Sequence, residues 1–399
     1  MHFRASLHFF IFDIVFRLTD YCYPFMSESS ENIKHIHNLD VEIISEADDE
    51  VREHLKKMIL GTPGKLQYRS LYIEEKFPHI GYCRFLLLKK SGYLLGTVCL
   101  ANRKTSFKKE EHSSWYIRYF HIRAPLRSST QKTFKRKAQP DQRSNIFLEA
   151  VDMYFRQPEM LLNEPDRSTK SLIYAVIERE NYRSANFAEQ LGIKACRSFK
   201  TFFFSRFRPK YDGHVNKLVQ DSKSCMADLI SEFYNDHILF TSQNLFYNNN
   251  YFVYTIEDEI VAGVQSNPEA WEIQYKPGLS GWFIRNVLTR IPFISNVLNL
   301  KNFRFSALEG IYFKEGFDHL LIPLIESVCS SQKTHFAISW LDSDSHVLKS
   351  LQKTGKKGFL ARLISVDEAD IRIKFINWNS NEIEEFTSKP AYLSCFDMM

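Results

Sequence analysis

The sequence predicts an α/β fold with two successive units, each a twisted mixed sheet flanked by helices. The chain has 399 residues, 44% of them hydrophobic and 25% charged, which is typical of globular proteins and long enough for two domains. Short apolar or alternating runs, which indicate strands, are interspersed with segments of helical periodicity. After Pro209 the same order of elements begins again, which indicates an internal repeat.

The first half reads as helix, hairpin, third strand, long basic loop, helix, strand, short helix and strand. Ser91-Gly92 marks the hairpin turn, and Gly192 ends the short helix as a C-terminal cap. Helices are predicted over 51–60, 145–155 and 184–190, and strands over 84–89, 93–101, 115–122, 171–177 and 199–206. This order favours a mixed sheet covered by helices.

The second half repeats this order, with Glu257-Asp258 at its hairpin turn. Helices are predicted over 224–234, 317–329 and 344–353, and strands over 251–256, 259–264, 307–313, 335–340, 359–365 and 371–376. Corresponding features lie roughly 165 residues apart. Because few residues are identical between the halves, we expect a duplication at the level of the fold.

We expect residues 1–38 to form a flexible extension, and assign a first unit to 39–207 and a second to 213–399. An apolar insertion, 271–303, separates the second hairpin from its next strand, and Pro292 breaks or kinks it. Its apolar residues recur near helical spacing: Trp282, Phe283, Val287, Ile291, Ile294 and Leu298. We expect a packing insertion. The alternatives are a wall for a hydrophobic acyl group and, disfavoured, a membrane-surface contact through 282–298.

The apolar run 7–16 predicts neither a signal peptide nor a membrane span. Asp13 interrupts the run, charged residues follow it, no small-residue cleavage site is present, and the run is too short to cross a bilayer. The seven cysteines lie far apart without a Cys-x-x-Cys pair, which predicts a reducing compartment and no structural zinc or other metal. We therefore expect a cytoplasmic protein.

Positive charge is concentrated in one segment. Residues 103–143 hold twelve Lys or Arg against three acidic residues, although the whole chain has a net charge of only +5. Such a block indicates a solvated loop or an anion site for phosphates or nucleic acid. Nucleic acid is disfavoured because Phe134 is the one stacking aromatic in the basic loop. The sequence also lacks a P-loop, paired catalytic carboxylates and a Ser/His/Asp context.

The most specific motif follows the predicted fifth strand of the first half. Asn181, Ser184, Phe187, Gly192 and Ile193 match the pattern Asn-x-x-Ala/Ser-x-x-hydrophobic-Tyr-x-x-x-Gly-hydrophobic. With the strands on both sides, this motif resembles the GNAT superfamily of acyl-CoA-dependent N-acyltransferases. The resemblance covers about 40–207 and, more weakly, 213–378, and it implies two GNAT-like domains in tandem.

The resemblance implies acetyl-CoA or another acyl-CoA as co-substrate and no metal. In this family the fourth and fifth strands splay apart, and the pantetheine arm pairs with their open edges like an added strand. The cofactor contacts implied here are Ile122, Arg123, Ala124, Arg127, Arg136, Lys137, Ser144, Asn145, Asn181 and Asn186. For Asn181 the alternative is a cap on the following helix.

Two departures from the family pattern limit what is carried over. No glycine lies between Arg123 and Asn145, where the family has a glycine-rich phosphate loop, so either this site is lost or Lys and Arg side chains replace it. The equivalent loop of the second half, 313–317, is short and degenerate for coenzyme A. Ala188 stands where the family has the Tyr that protonates the leaving thiolate.

The catalytic residue is therefore left open. Candidates near the cleft are His121, Glu178 and Tyr182, each of which also has an ordinary structural explanation. The resemblance implies an N-acyltransferase that acylates an amine of a small molecule or peptide, with the first unit holding the cofactor. The alternatives are a non-catalytic module that binds acyl-CoA or another ligand, and an aminoacyl-tRNA-dependent transferase. The sequence does not indicate an oligomeric state.

Overall fold

The computed structural model describes residues 34–36, 39–62, 64–122, 145–162, 170–275, 297–355, 357–358, 361 and 368–397. Within these ranges fourteen strands join in a single mixed sheet. The strands are β1 (Lys34–Ile36), β2 (Leu39–Ile44), β3 (Gln67–Ser70), β4 (Cys83–Lys90), β5 (Tyr93–Phe107), β6 (Glu110–Ile122), β7 (Ser171–Glu178), β8 (Lys194–Ser205), β9 (Val215–Lys217), β10 (Tyr251–Ile256), β11 (Glu259–Tyr275), β12 (Phe303–Phe313), β13 (Phe336–Asp342) and β14 (Ala369–Ile376).

Helices flank this sheet in the described part of the chain. They are α1 (Asp49–Lys56), α2 (Ile73–Lys76), α3 (Asn145–Arg156), α4 (Tyr182–Gln190), α5 (Lys223–Phe233), α6 (Leu321–Ser331), α7 (His346–Lys353) and α8 (Ser380–Thr387). The caps follow the expected chemistry: Asp48 accepts a hydrogen bond from the backbone of Val51 at the start of α1, and Asn379 forms a capping box at α8. The predicted mixed α/β architecture is confirmed.

The two halves exchange their final strands. The strand order is β1-β2-β4-β5-β6-β7-β14-β8-β13-β12-β11-β10-β9, and β3 pairs with β11. Thus β14 of the second half lies between β7 and β8, and β8 of the first half lies between β14 and β13. All these pairings are antiparallel. The sheets of the two halves are therefore continuous, which the periodicity of either half could not show.

The largest apolar cluster also draws on both halves. Tyr68 of β3 stacks on Trp271 of β11 with ring centroids 4.0 Å apart, and both side chains are fully buried. Nearby, Lys76 Nζ and Glu269 Oε1 form a buried ion pair of 2.6 Å. Desolvation lowers the pKa of Lys76 and raises the pKa of Glu269, since burial penalises each charged form. Removing one partner would leave a buried charge uncompensated.

Several boundaries differ from those predicted. The strand predicted over 259–264 continues to Tyr275 because it pairs with both β12 and β3. Consequently the first residues of the predicted insertion 271–303 belong to β11, and 276–296 lie outside the described residues. The strand predicted over 359–365 also lies outside them, apart from residue 361. In contrast, β10 has the predicted bounds.

The sequence predictions on membrane spans and cysteines can be compared with the structure within the described residues. No helix in the described ranges is long and apolar enough to span a membrane. The six cysteines within them are free thiols: Cys83, Cys99, Cys196, Cys225, Cys329 and Cys395. Of the predicted flexible extension 1–38, residues 34–36 instead form β1, which pairs with β2. Residues 1–33, which include the apolar run 7–16, lie outside the described residues.

Candidate functional site

The strands β6 and β7 diverge at their carboxyl ends. They pair in parallel from Ser113 with Ser171 to Tyr116 with Tyr174, and the pairing ends there. Both strands nevertheless continue, because β6 stays bound to β5 and β7 stays bound to β14. Residues 117–122 and 175–178 thus enclose an opening in the sheet, here called the first gap.

A β-bulge lies in the first gap, on β6. Thr97 pairs with His121 and Cys99 pairs with Arg118, so one residue of β5 lies opposite two residues of β6. Within the bulge, Tyr119 has a φ of 48°, a left-handed conformation that is rare for a non-glycine residue. Bulges and such strained residues are over-represented beside functional sites, since they change the direction of backbone groups.

The second half contains the same arrangement. Strands β12 and β13 pair in parallel at Ser306 and Ala307, and then diverge although both continue. Residues 308–313 and 339–342 enclose this second gap. Its bulge lies on β12 at Gly310, three residues after the last paired residue, as Tyr119 does in the first gap, and Gly310 has a φ of 55°. The forked strand and its bulge therefore occur once in each half.

Side-chain hydroxyls bind the backbone carbonyls of the second gap. Tyr251 donates to the carbonyl oxygen of Gly310 at 2.9 Å, and Tyr234 donates to that of Ile311 at 2.7 Å. Ser339 Oγ crosses the gap and donates to the carbonyl oxygen of Leu308 at 2.9 Å. Carbonyls that an extended ligand would need are thus already hydrogen-bonded to the protein.

Segment 390–396 of the chain also lies against the second gap. The backbone N–H of Ala391 donates to Asp342 Oδ2 at 2.9 Å, and Ser394 Oγ donates to Glu309 Oε2 at 2.6 Å. Asp342 is fully buried and is held by two hydrogen bonds from Arg197, of 2.8 and 3.0 Å. The segment therefore contacts both strands that form the gap.

A cavity of about 20 Å³ remains in the second gap, between its strands and this segment. His237 lines it, and neither ring nitrogen of His237 has a hydrogen-bond partner among the described residues. Burial lowers the pKa of His237 to about 3, with His346 nearby adding to the effect. Tyr392 also lines the cavity with its hydroxyl buried, and burial raises the pKa of this phenol. The space is too small for a pantetheine chain.

In the first gap, His121 contacts a second histidine. Its Nδ1 lies 2.8 Å from Nε2 of His54, a buried residue of α1. One ring must donate and the other accept, so this contact requires at least one neutral imidazole. His121 itself is half-buried at the carboxyl end of β6. A neutral imidazole in such a position can accept a proton from an amine.

Glu178 is the last residue of β7, one residue beyond the predicted strand 171–177, and it is buried. Its Oε2 accepts a 2.6 Å hydrogen bond from Thr62 Oγ1. Nearby, Lys65 and Glu180 form an ion pair. The loop after α1 is therefore fastened over the carboxyl end of β7. Glu178 and Asp342 occupy equivalent positions, each four residues after the last paired residue of its strand.

The other residues of the sequence motif have mainly structural contacts. Asn181 caps α4, since its side chain accepts a hydrogen bond from the backbone of Ser184 at 3.2 Å. Tyr182 is 71% exposed, and Asn186 also faces solvent. Ala188 is buried in the apolar cluster beneath α4. The capping alternative for Asn181 is thus realised, while a cofactor contact by Asn181 or Asn186 stays a prediction.

Most of the predicted cofactor contacts lie beyond the part of the chain that the structure describes. Arg123, Ala124, Arg127, Arg136, Lys137 and Ser144 lie outside the described residues. Ile122 ends β6 and Asn145 begins α3. Sequence reasoning missed the two bulges and the partner His54. A positive φ at a tyrosine leaves no signal in residue type, and His54 looks like an ordinary helix residue until α1 packs against β6.

The basic segment 103–143 is not a uniform patch in its described part. Arg103 and Arg118 are buried, and Lys104, Lys108 and Lys109 form ion pairs with glutamates. Among the described residues, no cluster of three or more His, Cys, Asp or Glu could hold a metal ion.

Comparisons with known proteins find likeness in structure alone. No family model matches the chain, and no curated protein matches its sequence. A structure of Saccharomyces cerevisiae N-myristoyltransferase with bound myristoyl-CoA is 9% identical, with a TM-score of 0.53 over 95% of this chain and 92% of that chain. Another, with myristoyl-CoA and inhibitors, is 10% identical, with a TM-score of 0.54 over 88% and 83%. With two forks in one continuous sheet, this chain has a GNAT-like fold in tandem form.

Proposed function

We propose that this protein is an N-acyltransferase that binds an acyl-CoA in the first gap and transfers the acyl group to an amine. The observation that carries the proposal is the divergence of β6 and β7 after Tyr116 and Tyr174, with a bulge directly beyond. Open strand edges bind an extended polar ligand through its amides, as an added strand would. The pantetheine arm of coenzyme A is such a ligand.

The second gap is a poorer candidate for the cofactor, although it has the same backbone arrangement. Tyr251, Tyr234 and Ser339 already donate to its carbonyls. Segment 390–396 binds both of its strands, and it also reaches the first gap, where Arg118 donates to the carbonyl oxygen of Phe396 at 3.1 Å. We therefore assign the cofactor to the first unit, 39–207, and the acceptor side to the second unit, 213–399. The structures of N-myristoyltransferase named above hold myristoyl-CoA, which supports an acyl-CoA as the donor.

We assign the role of general base to the His54–His121 pair. The acceptor amine must lose a proton to attack the thioester, and a neutral imidazole is suited to accept it. The hydrogen bond from one ring to the other would hold the accepting nitrogen in place and share the developing charge. The acceptor class we propose is a primary amine of a small molecule or peptide, in a cytoplasmic protein.

Hydrogen–deuterium exchange with and without coenzyme A tests the location of the cofactor. We expect protection of peptides that cover 117–122 and 175–178, because bound pantetheine would take up their amide hydrogen bonds. Peptides that cover 308–313 and 339–342 are the internal control and should exchange at an unchanged rate. Protection confined to the peptides that cover 308–313 and 339–342 would place the cofactor in the second gap and contradict our assignment.

Thermal stability supplies the test of binding itself. A ligand that binds only the folded chain, at a free concentration one hundred times its Kd, raises the free energy of unfolding by about 2.7 kcal/mol. Acetyl-CoA or coenzyme A at millimolar concentration should therefore raise the melting temperature. If no such increase and no protection occur, the proposal is wrong.

A non-catalytic acyl-CoA-binding module is the second candidate. The buried Ala188 at the position of the family's tyrosine favours it, since no hydroxyl stands there to protonate the thiolate. The two candidates differ in thiol release from acetyl-CoA, measured with polyamines, amino sugars and peptide amino termini as acceptors. Binding without release by any amine would support the module. The aminoacyl-tRNA-dependent transferase has no support from the described basic residues of segment 103–143, which are buried or ion-paired.

A further inference from the structure

We propose that Tyr116 and Tyr174 form a gate that limits the acyl group to a chain of a few carbons. The inference rests on the proposed function, because it concerns the acyl end of a cofactor in the first gap. The two tyrosines are the last paired residues before β6 and β7 diverge. They therefore lie at the closed end of the gap, at the point where the strands fork.

The two tyrosine rings together occupy the space at the fork. They are direct partners across the parallel strands, and their rings stack with centroids 4.8 Å apart and an interplanar angle of 28°. Each side chain is 4% exposed. Stacked neighbours on adjacent strands leave no room for an alkyl chain between them at this packing density.

The direction of the cofactor follows from polarity. The pyrophosphate and nucleotide of coenzyme A are highly charged and must stay near water, which they reach at the wide carboxyl end of the gap. A linear pantetheine arm that begins there and runs along the strands brings its thioester end deepest, towards the fork. The acyl group is then the part of the ligand nearest to Tyr116 and Tyr174.

Both faces of the sheet are packed behind the fork. On the tyrosine side lies Tyr68, fully buried and stacked on Trp271. On the opposite side lies Trp115, also fully buried, whose Nε1 donates to Glu159 Oε1 at 3.1 Å. A long acyl chain would have to displace one of these aromatic groups, whereas an acetyl group would not.

The second gap shows that bulky residues are not required at a fork. Its last paired residues are Ala307 and Ile338, which occupy the positions of Tyr116 and Tyr174. The backbone arrangement is the same, so the two tyrosines are a property of the first gap alone. Their size is what the proposal uses, rather than their hydroxyl groups.

Isothermal titration of the full chain with coenzyme A, acetyl-CoA, butyryl-CoA and octanoyl-CoA tests the gate. We expect the Kd for octanoyl-CoA to exceed that for acetyl-CoA by about tenfold or more. In Tyr174→Ala and Tyr116→Ala the difference should shrink or reverse, because the missing ring leaves space for the chain. Tyr174→Phe keeps the bulk and should keep the selectivity of the wild-type protein.

Tyr312→Ala is the matched control, since Tyr312 is buried to a similar degree in the second half. It should leave the preference for short chains unchanged. Octanoyl-CoA binding to the wild-type protein as tightly as acetyl-CoA would overturn the gate while leaving the proposed function intact. This comparison uses the wild-type protein alone, so it can contradict the gate even if an alanine variant folds poorly. Absence of binding by coenzyme A and every acyl-CoA would overturn both.

Discussion

At the bulge, the first gap carries Tyr119 and the second carries Gly310, although both residues have a φ near +50°. The two gaps also differ in the groups that lie around the bulge. In the second gap, tyrosine and serine hydroxyls bind the strand carbonyls and segment 390–396 contacts both strands. In the first gap, a histidine pair and Glu178 lie at the strand ends.

This difference shows how one backbone arrangement can serve either binding or packing. Diverging parallel strands leave amide and carbonyl groups that must find partners. The second half supplies those partners from its own side chains. In the first half, on our proposal, a ligand lies between the diverging strands. This division between binding and packing has four testable consequences.

His121→Ala should lower kcat by about 100-fold or more, because it removes one half of the proposed base. His112→Ala is the control: His112 lies on the same strand but outside the gap, in contact with Trp378. Its kcat should change little. Steady-state thiol release measures both variants once an acceptor amine is in hand. A kcat of His121→Ala equal to that of the wild-type protein would exclude the histidine pair as the base.

Gly310→Ala should destabilise the protein by about 2 kcal/mol, because of close packing and a positive φ together. An added Cβ would lie 2.6 Å from Leu245 Cδ2. The control Gly316→Ala has a φ of 85° but no atom within 4 Å of the added Cβ, so it shows the backbone cost alone. Chemical denaturation gives both values. Equal losses in the two variants would mean that the second gap is less tightly filled than we describe.

The stability of the protein should fall on acidification, in part because of His237. The unfolded chain binds a proton near pH 6.5, whereas the folded chain binds it only near pH 3, since burial lowers the pKa of His237 to about 3. Between these pH values, His237 reduces the free energy of unfolding by about 1.4 kcal/mol for each unit that the pH falls.

His237→Gln should remove this part of the slope, and the exposed His319→Gln should not. The free energy of unfolding, measured from pH 7 to pH 4, decides between them. Burial also lowers the pKa values of His346 and His112, so these residues make the free energy of unfolding fall with pH in the same direction. The contribution of His237 is therefore read from the difference in slope between His237→Gln and His319→Gln. An unchanged slope in His237→Gln would show that water reaches the second gap.

The smallest effects concern two helix caps in equivalent positions. Asn181 caps α4 after the first gap, and Ser345 caps α7 after the second, each through a hydrogen bond to a backbone N–H. Asn181→Ala and Ser345→Ala should each lower stability by about 1 kcal/mol. The melting temperature with and without coenzyme A then separates the roles. If both variants retain the full cofactor-induced increase, Asn181 is a cap and has no cofactor contact.

Some features of the candidate site could be predicted from the sequence and others could not. The motif from Asn181 to Ile193 located β7 and α4, because a buried strand, a capping residue and a terminal glycine are local signals. Glu178 and His121 were candidates because they lie near the cleft that the GNAT resemblance implies, Glu178 after the predicted fifth strand and His121 on the predicted fourth. The partner His54 lies 67 residues before His121, and no local pattern connects them.

From the sequence we predicted ten of the fourteen strands and six of the eight helices in the described ranges, and the repeated order of elements in the two halves, but not β1, β2, β3, β9, α2 or α8. These depend on periodicity and on the backbone preferences of single residues. Tertiary structure alone decided that β8 and β14 are exchanged between the halves, that Tyr116 meets Tyr174, and that the second gap is filled by the chain itself. Such contacts depend on strand register and on packing between segments distant in sequence, which residue types along the chain do not encode.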